Sequence, residues 1–213
     1  MTMRAGLSLR ATLAAGVALS ALGCTVGEGR GWVKSERLYI EDCWNGPFDL
    51  NPDFFAAIPY REETLLMRIQ RGDNIEEQSD GMTILVHDIQ DLRRRPGEPV
   101  AVGMPPGVTP PGMPVVADPD PPKVSLSIYL HNSCHAQNAA IYSISGAIVF
   151  HSLFNGNINE ADAENRLTHA TFAAQFADPR RVSVAMPSEA LISQVSGEFE
   201  FYFQRGQPAQ PFQ

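Results

Sequence analysis

The sequence predicts an all-β fold: an antiparallel two-sheet β-sandwich with short helical turns and a long proline-rich internal loop. Three observations predict it. Apolar residues recur at every second position through most of the body of the chain, the spacing of half-buried strands. Helical spacing fits the same segments poorly. Ten of the seventeen prolines crowd into residues 96–122, together with Gly97, Gly103, Gly107 and Gly112. That stretch lacks the backbone donors of a regular ladder and reads as a loop.

Taken in order, Arg37–Cys43 reads as a strand with Leu38 and Ile40 inward. Asn51 as N-cap and Pro52 in the first turn predict a short helix through Ile58, stopping before Pro59. Thr64–Arg71 returns to two-fold spacing, with Leu65, Met67 and Ile69 on one face. Met82, Ile84 and Val86 repeat it, and Asp80-Gly81 before them favours a tight turn. After the proline-rich stretch, Val124, Leu126, Ile128 and Leu130 share a face. Tyr142, Ile144, Ile148 and Phe150 form the next set. Phe172, Ala174 and Phe176 follow, then Phe199, Phe201 and Phe203. Strands with one wet face pack naturally as two sheets. A membrane barrel needs strands of about 9–11 residues and an apolar outer band. These segments read as shorter, and their second faces carry Arg, Glu and Gln. Gln-Arg-Gly at 70–72 and 204–206 hints weakly at an internal repeat.

Residues 1–23 read as an export signal. Arg4 and Arg10 flank a small, apolar run from Ala11 to Leu22, too short to span a bilayer. It ends Ala21-Leu22-Gly23-Cys24. This resembles the lipobox of bacterial lipoproteins, except that leucine stands one place late. The resemblance implies that Cys24 is acylated and becomes the first residue of the mature chain. An ordinary secretory signal would cut at the same bond and leave the Cys24 thiol bare. Thr25, where many Gram-negative lipoproteins retained at the inner membrane have aspartate, implies the outer membrane. Residues 24–31 then form a tether, 32–205 a single domain, and 206–213 a tail.

Cysteine arithmetic follows. If Cys24 carries lipid, Cys43 and Cys134 remain and can pair in an oxidising compartment. The alternatives are two separate buried thiols, or a metal held by His131, Cys134 and His135, which lacks a fourth ligand cluster.

Charge narrows function. The 213 residues carry 24 acids against 16 bases, a net charge of -8. Removing Arg4 and Arg10 leaves the mature chain at -10, which argues against nucleic acid as partner and against lying flat on anionic lipid. The chain contains no G-x-S-x-G, H-E-x-x-H or Walker loop, and only two lysines, Lys34 and Lys123. The five histidines are His87, His131, His135, His151 and His169; on the strand reading His131 and His151 fall on wet faces, where a histidine is usually plain surface. Asp73, Glu76, Glu77 and Asp80 form an acidic loop that could take a hard cation. Glu160, Asp162 and Glu164 read as surface or a helical cap. The expectation is a non-enzymatic, lipid-anchored envelope protein without cofactor, in a structural, adhesive or accessory role. It would meet the membrane through its anchor and envelope proteins through its body. In outline it is similar to exported lipoproteins of Gram-negative bacteria. A carrier of an apolar ligand and a cell-envelope hydrolase are the alternatives.

Overall fold

The computed structural model describes residues 29–60, 63–72, 79–108, 121–134, 139–180 and 191–203. The export signal, Cys24, the acids at 73, 76 and 77, His135, the loop core 109–120, the second Gln-Arg-Gly and the tail lie outside the described residues.

The described chain forms ten strands and two short helices. The strands are β1 (Gly29–Ile40), β2 (Trp44–Leu50), β3 (Phe54–Tyr60), β4 (Thr64–Gln70), β5 (Asp80–His87), β6 (Pro99–Gly103), β7 (Val124–Leu130), β8 (Ala140–Ser152), β9 (Leu167–Ala177) and β10 (Ile192–Tyr202). The helices are α1 (Ile89–Arg93) and α2 (Ala163–Arg166).

All ten strands belong to one sheet, in the order β2-β1-β10-β9-β8-β6-β7-β5-β4-β3. Every pairing is antiparallel except β6 with β7, which is parallel. The all-β prediction holds, but the sheet is single, mixed and curled into a half-barrel, not shown as a two-sheet antiparallel sandwich. Alternation along each strand fixes which face turns inward. It does not say whether two inward faces belong to one sheet or two. Here β7 bonds to both β5 and β8 and so joins the halves.

Curling brings the edge strand β3 onto the far side of the sheet. The Phe55 ring stacks on Phe201 of β10 at 5.6 Å. Gly29 permits the approach, since a Cβ there would lie 2.6 Å from atoms of both rings' side chains. Gly29–Gly31 therefore belong to β1, not to a tether. Leu65, Met67 and Ile69, Met82, Ile84 and Val86, and Val124, Leu126, Ile128 and Leu130 are all fully buried, as their spacing predicts. Phe172, Ala174, Phe176, Phe199 and Phe201 complete the wall opposite.

Five other local expectations are corrected. The helix predicted at 51–58 is β3, paired residue by residue with β4 from Phe54↔Gln70 to Tyr60↔Thr64. The unpaired edge of β4 and burial of Phe55 and Ala57 outweigh the capping signal, and Pro59 is tolerated because an edge strand need not donate. Asp80 and Gly81 open β5 instead of turning. Within the expected loop 96–122, Pro99–Gly103 form β6. In β8 the buried set is Ile141, Ser143, Ile148 and Phe150, because a register shift between Ser143 and Ser145 reverses the phase. Four strands, β1, β8, β9 and β10, run to 11–13 residues, longer than expected.

Ser143 marks where β7 and β8 part to admit β6. Its buried hydroxyl accepts from Leu126 N–H at 2.9 Å and donates to the Gly103 carbonyl at 2.7 Å. One side chain of β8 thus satisfies backbone groups on β7 and on the inserted β6.

Candidate functional site

Two places on the molecule combine shape with chemistry. The first is the rim at the ends of β1 and β7. Cys43 and Cys134 meet there as a disulfide, with Cα atoms 5.7 Å apart, inside the range that such a bond requires. Asp80 shapes the turn that carries Cys134. Its carboxylate accepts from the backbone N–H groups of Asn132 at 3.0 Å and Ser133 at 3.1 Å, and from the Ser133 hydroxyl. On the other side, Asp178, 1 % exposed, accepts the Arg180 guanidinium and the Glu41 N–H. With Cys134 bound to Cys43, the metal reading through His131, Cys134 and His135 loses its thiolate.

Beside this rim, Tyr129 is buried on the outer face of β7. Its hydroxyl accepts from Arg68 Nε and donates to Gln70 Oε1 at 3.2 Å. Gln70 in turn donates to the Gly72 carbonyl at 2.9 Å. Burial pushes the phenol up to about 12, against the opposing pull of Arg68. The His131 ring lies 5.0 Å from that of Tyr129. Burial, then the Arg68 charge, lowers its pKa. Sequence spacing places Tyr129 on the wet side of its strand, and no local signal marks it as enclosed.

The second place is a cleft of about 390 Å³ between β1 and β10. Its cause is legible in β2. Phe48 pairs with Ser35 and Gly46 with Leu38, so Pro47 alone faces Glu36 and Arg37. Proline cannot donate to the ladder, and β1 bulges opposite it. On its other side β1 leaves β10 after Lys34↔Ser196. It is caught again where Tyr39 N–H donates to Ser193 Oγ at 2.8 Å. Lys34, Glu36, Arg37 and Gln194 line the opening, over Ala173 and Val195. Arg37 donates Nε to Asn45 Oδ1 at 3.0 Å, and its guanidinium lies 6.0 Å from the centre of the Tyr39 ring. This mixture of donors and acceptors suits polar contacts from a protein surface.

No family model matches this chain. No curated protein and no solved structure matches it either. Function therefore rests on the chain's own chemistry.

The remaining flagged residues lie apart. Glu160, Asp162 and Glu164 build the entry to α2: Asp162 Oδ1 accepts from Glu164 N–H at 3.0 Å, and Glu160 from Asp162 N–H at 2.8 Å. His87 contacts Thr64 Oγ1 at 3.4 Å, and burial lowers its pKa. Lys123 joins Asp88 at 3.0 Å and Asp91 at 2.6 Å, tying α1 to the start of β7. These are half-buried contacts that hold the structure together. His151 and His169 stand on the outer faces of β8 and β9. Sequence reading treats His151 as plain surface, yet its ring lies 4.6 Å from that of His169.

Proposed function

We propose that this chain is an exported protein, lipidated at Cys24, whose β body is a non-catalytic module that binds protein partners at the outer membrane. The observation that carries the reading is the pairing of Cys43 with Cys134. It uses two of the three cysteines, suits an oxidising compartment, and leaves Cys24 as the odd one. Cys24 stands in the tetrapeptide Ala21-Leu22-Gly23-Cys24, which resembles a lipobox. Two acyl signals are enough for stable anchoring, where one gives only marginal binding. A mature charge of -10 holds the body off an anionic bilayer and leaves its outer faces open to partners. The cleft beside the β1 bulge is the contact surface this reading favours.

The test is expression of the full chain in a Gram-negative host fed a clickable palmitate analogue. The label and the added acyl mass are expected on the wild type and absent from Cys24→Ser, which leaves the membrane fraction. An unacylated wild-type product, or a Cys24→Ser protein that stays with the membrane, would sink the reading.

A further inference from the structure

The outer face of β8, β9 and β10 brings two imidazoles and a carboxylate together. His169 on β9 places Nε2 at 3.1 Å from Glu198 Oε1 on β10. His151 on β8 lies at the second register shift of that strand, between Phe150↔Ala170 and Ser152↔His169. Bulges of this kind re-aim side chains, and here the His151 ring sits 4.6 Å from that of His169. His151 Nε2 is 3.4 Å from Thr171 Oγ1. All three side chains face solvent, with His169 29 % and Glu198 46 % exposed.

We propose that His151, His169 and Glu198 form a site for a divalent transition-metal ion of the zinc class. Imidazole and carboxylate suit such an ion, whereas calcium and magnesium prefer all-oxygen shells. Two donors each ~2.0–2.2 Å from one tetrahedral ion lie roughly 3.3–3.6 Å apart, a little beyond the 3.1 Å between His169 and Glu198. As the side chains stand, no three such donors among the described residues are gathered closely enough to hold an ion. Binding would require the exposed His151 ring, 4.6 Å from that of His169, to rotate away from Thr171. The fourth position is left to water. Glu200, directly opposite His169, is engaged by Arg30 at 2.9 Å and stays outside the set. The acyl anchor plays no part in this site.

The experiment is calorimetric titration of the purified full-length protein with Zn²⁺ at pH 7.5, with Mg²⁺ as control. One saturable site is expected for Zn²⁺ and none for Mg²⁺. His151→Ala and His169→Ala should each weaken it at least roughly tenfold, and Glu198→Gln less. Bound Cu²⁺ should show hyperfine coupling to two imidazole nitrogens in the wild type, a readout that needs no variant. Absence of saturable Zn²⁺ binding below 1 mM would overturn the proposal. So would His151→Ala and His169→Ala variants that bind as the wild type does, or Cu²⁺ without nitrogen coupling.

Discussion

Tyr129 shows how a residue on the nominally wet face of a strand becomes interior. Arg68 and Gln70 engage its hydroxyl, and Gly81 leaves it room, because a Cβ there would overlap that hydroxyl. Its folded pKa of about 12 stands above the ordinary phenol value near 10. An unfolded chain therefore releases this proton first, and stability should fall as pH rises from about 10 toward 12. Ultraviolet titration of the five tyrosines should show one late phase, absent from Tyr129→Phe. Identical titration curves for the wild type and Tyr129→Phe at high pH would contradict the burial. None of this was legible in sequence, because Asp80-Gly81 signals a turn as readily as it signals a close approach between strands.

At the scale of elements, the edge strand β3 depends on a single ring more than on its own propensity. Phe55 is 4 % exposed and stacks on Phe201 across the curl. Phe55→Ala should lower stability by about 3–5 kcal/mol and speed amide exchange across β3, measured by urea denaturation and hydrogen exchange. A loss under about 1 kcal/mol would mean that the curl is not closed there. The central strands were legible from spacing alone, since the inward rows of β4, β5, β7 and β9 obey strict alternation. The misread elements share one physical cause. The β8 register shift, the pairing of β3 and the insertion of β6 are fixed by neighbouring strands, which a window along one segment does not contain. Prolines mislead for the same reason, because Pro59 sits on an edge strand and Pro99 at a strand start, where a missing donor costs little.

For the molecule as a whole, the disulfide is a covalent tie from one edge of the sheet to its interior. It joins the β1–β2 connection near one edge to the turn after β7, over a separation of 91 residues. Replacing Cys43 and Cys134 together by alanine should cost up to about 4–5 kcal/mol, most of it through the freed unfolded chain. Chemical denaturation of oxidised and double-variant proteins measures this, and equal midpoints would show that the bond contributes nothing. Of the candidate sites, the sequence reading picked out the cysteine pair by counting. It missed the cleft at the β1 bulge, which needs the pairing of Pro47 with β1, and the His151–His169 contact, which needs the register of β8 on β9. The same bond has a mechanical consequence. When the chain is stretched from its two ends, tension reaching Cys43 crosses directly to Cys134, so the stretch enclosed by their separation of 91 bears no load and withholds about 300 Å of extension. Under tension, strands β2 to β7 would stay slack within the covalent loop while β1 and β8 to β10 yield first.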